Sequence, residues 1–128
     1  MEKHKKDRIM KDSESNQQIK LFQWVRLHEK KYPQLQALYA IPNGGQRNIT
    51  TAARLKREGT KAGVWDIHLP IANKHFIGLW IEMKFGKNKL TPSQEHFKSL
   101  LAPSHRFVVC YTWEEAKEAL LDYLGIYE

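Results

Sequence analysis

Three side chains in this sequence have the types and spacing for hydrolysis at phosphorus: Asp66, Glu82 and Lys84. Glu82-Met83-Lys84 closes an apolar run, Phe76-Ile77-Gly78-Leu79-Trp80-Ile81, which reads as a strand. Side chains alternate along a strand, so Ile81 and Met83 face one way and Glu82 and Lys84 the other. Gly63-Val64-Trp65-Asp66-Ile67-His68-Leu69-Pro70 reads as a preceding strand, and Asn73-Lys74 suits a hairpin connection between them. Pairing of the two strands brings Asp66 to Glu82 and Lys84. Asp66 and Glu82 are hard oxygen ligands suited to Mg²⁺ or Mn²⁺, and Mg²⁺ commonly takes only one or two carboxylates, with water and substrate phosphate completing its shell. Lys84 can then hold or help deprotonate the attacking water and stabilise charge on phosphorus. The same residues also admit a bland reading, a surface ion pair between Glu82 and Lys84 with Asp66 at a solvated strand end.

These residues need elements to hold them. A helix is expected from about Ser13 to Lys31, with Ile19, Phe22, Trp24, Val25 and Leu27 on its apolar side and Tyr32-Pro33 ending it. Glu14 and Gln18 fall on the face of Phe22 and Val25 by helical spacing, although an acid in a first turn is also favoured by the helix dipole alone. Leu35–Ile41 reads as a short strand, and Pro42-Asn43-Gly44-Gly45 as a turn. A helix over Ile49–Glu58 is expected to bury Ile49, Ala52, Ala53 and Leu55. Gly59 serves as its C-terminal stop. Gly63 permits a close approach of backbone or phosphate to Asp66. His68 shares the strand face of Asp66 and reads as a satisfied, half-buried histidine. Thr91-Pro92-Ser93-Gln94 opens a helix, with Thr91 as N-cap, Pro92 at the first helical position and Gln94 placed for a capping box. Gln94, Phe97 and Leu101 share its inner face. Arg106–Tyr111 is a last strand, and Thr112-x-x-Glu115 caps a final helix that packs through Ala116, Leu120, Leu121 and Leu124. The order of helix, strand, helix, strand, strand, helix, strand, helix gives an α/β fold, a mixed sheet flanked by helices.

Composition narrows the class. The chain has 128 residues and a formal net charge of +7, enough for one domain and a bias toward an anionic polymer. Residues 1–12, with Lys3, Lys5, Lys6, Arg8 and Lys11, read as a flexible basic arm before a single domain over 13–128. The turn at Asn43 and Gly44, followed by Arg47 and a helix start, is a phosphate-binding device as well as a turn. Arg54 shares a helix face with Arg47, and Lys61 and Lys87 add charge near Asp66. These six residues are the candidate DNA contacts. The one cysteine, Cys110, excludes an internal disulfide and a cysteine-based zinc site. That fits a reducing interior, so a cytoplasmic setting is expected, the host cytoplasm if the source is viral. No run reaches membrane-spanning length, and the N-terminus has no signal-peptide core.

Asp66 with Glu82-Met83-Lys84 resembles the PD-(D/E)xK nuclease core, with Trp65 where that pattern has proline. Ile41-Pro42-Asn43-Gly44-Gly45, Ala52-Ala53-Arg54-Leu55-Lys56, Gly59-Thr60-Lys61-Ala62-Gly63 and Leu90-Thr91-Pro92-Ser93-Gln94 occur in the order found in the VRR-NUC (virus-type replication-repair nuclease) family. The likeness covers nearly everything after Ser13. It implies a restriction-endonuclease-like core and a Mg²⁺- or Mn²⁺-dependent deoxyribonuclease. It further implies that Asp66, Glu82 and the Met83 carbonyl bind metal, that Lys84 serves the water, and that Glu14 and Gln94 support the site. Gln94 is not expected to cap its helix and reach the site from one rotamer, and the site is the expectation. The resemblance to stand-alone members suggests a four-way DNA junction as substrate and a two-fold homodimer as working form, with Trp24, Trp80, Trp113, Tyr123 and Tyr127 available for an interface. A flap endonuclease or exonuclease of the same fold, and a catalytically silent DNA-binding module, are the alternatives.

Overall fold

Apolar runs with period two supply the sheet, and amphipathic helices cover both its faces. The computed structural model describes residues 2–43 and 48–127, with side chains from residue 14 onward. Its elements are α1 (Glu2–His28), a 3₁₀ turn (Pro33–Ala37), β1 (Tyr39–Ala40), α2 (Ile49–Arg57), β2 (Ile67–Leu69), β3 (Leu79–Met83), α3 (Pro92–Leu101), β4 (Arg106–Cys110) and α4 (Trp113–Leu124). The sheet order is β1-β2-β3-β4, antiparallel for the first two pairings and parallel between β3 and β4. The expected mixed α/β sheet is therefore present. All five residues of β3 are buried, as befits an inner strand covered on both faces.

The two faces bury different sets. Ile67, Leu69, Leu79, Ile81, Met83 and Cys110 join Leu21 and Val25 of α1 and Ala116, Leu120 and Tyr123 of α4 in the larger core. Trp80 and Phe107 face the other way and meet Trp65, with Phe97 and Leu101 of α3 over them. Glu82 and Lys84 lie on this second side of β3, as the alternation requires.

Several expected boundaries shift. The backbone of α1 is helical from Glu2, well before Ser13, because Glu2–Lys11 consists largely of good helix formers with no Gly or Pro to interrupt them. The buried stripe of α1 runs through Leu21 and Val25, leaving Ile19 50 % and Leu27 80 % exposed. In place of a strand over Leu35–Ile41, Pro33 nucleates a 3₁₀ turn that buries Leu35, and only Tyr39 and Ala40 pair with β2. Proline at the first helical position favours that turn. The helix α2 has the expected span, an Asn48 N-cap on the Thr51 N–H, and a C-terminal stop at Gly59. There Gly59 and Thr60 N–H groups return to the carbonyls of Lys56 and Leu55. Its burial differs from expectation: Ile49, Ala52 and Ala53 are exposed and Leu55 is half-buried, because among the described residues no second element packs over that side. The core also absorbs most aromatics considered for an interface. Trp80 and Tyr123 are buried, Trp24 and Trp113 pack against the core edge, and Tyr127 alone stays largely exposed. Among the described residues no helix is long and apolar enough to cross a membrane.

Burial should therefore separate two similar substitutions. Leu120→Ala, at a fully buried position, should cost about 2–5 kcal/mol in urea unfolding. Ile49→Ala, on the uncovered side of α2, should change stability by less than about 0.5 kcal/mol. A comparable loss at both would contradict the packing.

Candidate active site

The antiparallel ladder between β2 and β3 ends at the Ile67–Ile81 pair. One residue further, Asp66 and Glu82 stand opposite each other, and their side chains take over the backbone donors. The Asp66 N–H donates to Glu82 Oε1 at 3.2 Å, and the Met83 N–H donates to Asp66 Oδ2 at 3.1 Å. Lys84 Nζ lies 3.4 Å from Glu82 Oε2. The backbone on either side is fixed: the Ile41 N–H donates to the Asp66 carbonyl and the Lys84 N–H to the Cys110 carbonyl. Glu82 is 3 % exposed, which removes the surface ion-pair reading.

Burial and mutual repulsion set the protonation of the pair. Burial pushes Glu82 up, the Asp66 charge pushes it further, and Lys84 only partly offsets them, leaving it at about 7. Asp66 is also raised by burial, against hydrogen bonds from Met83 and Asn43 and the charge of Lys84. Glu14 is half-buried, and its pKa is raised first by burial and then by the Asp66 charge, with Lys84 opposing. Glu14 on α1 thus lies within electrostatic reach of Asp66 and Lys84.

Gln94 does both of its possible jobs from one rotamer. Its Oε1 accepts from the Thr91 N–H at 2.9 Å, closing the capping box, while its Nε2 donates to Glu82 Oε2 at 2.8 Å. The expectation of a conflict fails because the amide carries acceptor and donor on different atoms. Two contacts outside the expected set fasten this helix start. The Trp65 indole N–H donates to the Gln94 carbonyl at 3.1 Å. Gly63, at φ +91°, lies so close to Ser93 that a side chain there would overlap the Ser93 carbonyl. The approach at Gly63 is therefore by backbone, from the first turn of α3. Trp65 carried a signal in its position beside Asp66 but none that distinguished a donor from a core ring.

The remaining candidates separate. Asn43 donates through Nδ2 to the Val64 carbonyl at 2.7 Å and to Asp66 Oδ1 at 3.4 Å, so it positions the acid. Gly44 and Arg47 lie outside the described residues. Arg54, Lys61 and Lys87 are exposed, off the carboxylate pair. His68 is half-buried as expected, stacked on Trp80 with ring centroids 3.9 Å apart, and its Nδ1 lies 2.7 Å from the Tyr39 hydroxyl. Burial lowers its pKa. Among the described residues no three His, Cys, Asp or Glu side chains converge on one point. The acidic donors at the pair are thus Asp66 and Glu82, a set that fits a cation keeping water and substrate oxygens in its shell.

The raised Glu82 pKa carries a sign. The folded chain keeps a proton there that the unfolded chain loses near 4.5, so this group weakens stability as pH rises from about 4.5 to about 7. Glu82→Gln should remove that slope and raise Tm at pH 8 relative to the metal-free parent, at roughly 4 °C for each kcal/mol recovered. Thermal unfolding in EDTA across pH 5–8 measures it. A parallel pair of curves would mean that Glu82 ionises without strain.

No protein-family model matches the chain, and no curated protein does. A solved structure described as a VRR_NUC domain protein superposes with a TM-score of 0.73 at 26% sequence identity, covering 91% of each chain. That likeness extends over most of the chain, and it agrees with the motifs that resemble the VRR-NUC family: the chain is similar in fold to a VRR_NUC domain protein.

Proposed function

We propose that the chain is a metal-dependent, structure-specific DNA endonuclease that hydrolyses phosphodiester bonds, one site per chain. The observation that carries this reading is the buried pair of opposed carboxylates, Asp66 and Glu82, with Lys84 at 3.4 Å. A silent DNA-binding module has no use for such a pair, since two like charges held together in a poorly hydrated place cost stability. A cation between them removes their repulsion. Asp66, Glu82 and the Met83 carbonyl are the groups that would hold Mg²⁺ or Mn²⁺, and the ion would supply polarisation of a phosphoryl oxygen and activation of water. Lys84 places its ammonium where it can orient the attacking water and meet charge growing on the phosphate. Gln94 and Asn43 each hold one carboxylate, keeping both from turning away. Glu14 adds negative charge on the α1 side and strengthens the attraction for a cation. Exposed Arg54, Lys61 and Lys87, within a chain of net charge +7, supply phosphate-seeking charge.

The substrate reading is a four-way junction cut by a two-fold dimer. Junction resolution needs two cuts related by approximate two-fold symmetry, and a C₂ dimer supplies two sites in matching orientation. Leu27, Ile49, Leu100 and Tyr127 are largely exposed apolar side chains available to such a contact.

With Mg²⁺ or Mn²⁺ and a panel of labelled junctions, flaps, forks and single strands, Asp66→Asn should abolish cutting while DNA binding persists. Lys84→Ala should lower the rate by at least about 10²-fold, the scale for one preorganised charge stabiliser. Near-parental cleavage by Asp66→Asn would refute the site. Light scattering at assay concentration, with mapping of paired nicks on an immobile junction, tests the assembly. A monomer that prefers flaps would replace the junction reading with a flap endonuclease.

A further inference from the structure

A cleft of about 910 Å³ opens from Asp66 along α1 and extends past the groups used in the chemistry above. Ile19 and Phe22 of α1 and Ile41 and Pro42 after β1 supply its apolar part. Gln18 adds an amide, and Arg26 closes the end away from Glu14. Among the described residues no carboxylate pairs with Arg26. These α1 positions share one helix face by their spacing. From Glu14 to Arg26 the helix advances about 18 Å at its rise of ~1.5 Å per residue. The cleft therefore runs from Asp66 and Glu14 at one end to Arg26 at the other, with Ile19, Phe22, Ile41 and Pro42 between them.

From this arrangement we infer that the cleft is a subsite for an unpaired DNA strand, holding the nucleotides next to the scissile phosphate. The inference rests on the nuclease reading for the identity of the strand as DNA. A duplex turns sugars and phosphates outward and gains little from Ile19, Phe22, Ile41 and Pro42. An unpaired base offers an apolar ring face to such walls, and Phe22 is the one aromatic ring among them. Gln18 can donate to and accept from a base edge. Arg26 meets a phosphate further along the strand. At about 3.4 Å per stacked nucleotide, the roughly 18 Å from Glu14 to Arg26 accommodates about five nucleotides. The subsite gives structural selectivity a physical source: DNA with a splayed strand beside the cut, as in a flap or in a junction whose crossover opens on binding, gains contacts that a continuous duplex lacks.

The test is fluorescence anisotropy on the full chain in EDTA, with a labelled short duplex that is blunt or carries thymidine overhangs of increasing length on either strand. Affinity should rise with overhang length to about five nucleotides and then level off. Phe22→Leu keeps apolar bulk where Phe22→Ala risks unfolding, and it should lower the overhang-to-blunt affinity ratio by about fivefold or more, the low end for losing one base–ring stack. Arg26→Ala should flatten the salt dependence on overhang DNA by roughly 0.7 in log–log slope. Absence of length dependence, or equal losses on blunt and overhang DNA, would overturn the subsite. Cleavage assays of the same DNAs with Mg²⁺ and Mn²⁺ separate the two claims. No cutting, with the length dependence intact, leaves a strand-binding cleft and removes the nuclease; cutting without length dependence removes the cleft alone.

Discussion

The structure depends on two acids placed where a β-ladder opens. Beyond Ile67–Ile81 the two strands stop exchanging backbone bonds, and the carboxylates of Asp66 and Glu82 accept the freed N–H groups of each other's strands. This satisfies the backbone and costs the side chains. Each carboxylate is held against a like charge in a place that water reaches poorly, and the raised pKa of Glu82 records the conflict. Lys84 offsets part of it. A protein optimised for stability alone would fill this spot with apolar side chains, as it does one residue away at Ile81 and Met83. The tension is local because β3 is buried along its whole length and cannot relax.

What keeps the acids in place is a short closed circuit of contacts. Trp65, fully buried and edge-on to Phe107 at 4.8 Å, anchors the residue before Asp66 in the second core. Its indole N–H then reaches the carbonyl of Gln94, whose side chain holds Glu82, which in turn accepts from Asp66. Gly63 lets the same loop lie against the first turn of α3. The loop before β2, the start of α3 and the end of β3 thus hold one another. Rigid support of this kind is what a site needs if its charges are to be preorganised.

Local periodicity made the centre legible. Alternation alone separates Glu82 and Lys84 from Ile81 and Met83, and a hairpin suffices to bring Asp66 opposite. Thr91-Pro92 marked α3 because cap chemistry is also local. What the sequence left hidden depended on neighbours. Apolar spacing shows that α2 has an apolar side but not whether anything covers it, and among the described residues Ile49, Ala52 and Ala53 stay exposed. Asn43 in a glycine turn suggested a phosphate contact, and nothing local showed that its Nδ2 also reaches Val64 and Asp66. The helix-forming residues before Ser13 are equally the residues of a charged tail, so composition could not fix where α1 begins. The role of Gln94 was misjudged by counting roles per side chain, when hydrogen bonding is settled atom by atom.

The burial of the pair is asymmetric, and that gives the site a direction. Glu82 is sealed by β3, β4 and α3, with Gln94 and Lys84 on its outer oxygen. Asp66 is half-buried and borders the cleft along α1, together with Glu14 and Asn43. The cleft beside Asp66 offers a way in from that side, while Phe97 and Leu101 pack over the second core and the larger core fills the other face of the sheet. The open side is also where the fold is least committed: β1 is two residues long, and α2 stands clear of the core. Variation of α1's outward face, the turn after β1 and α2 can change what is bound without disturbing the circuit that holds the acids. The division follows from placing the charges at the end of a central strand, where one face must be closed for rigidity and the other left open for access.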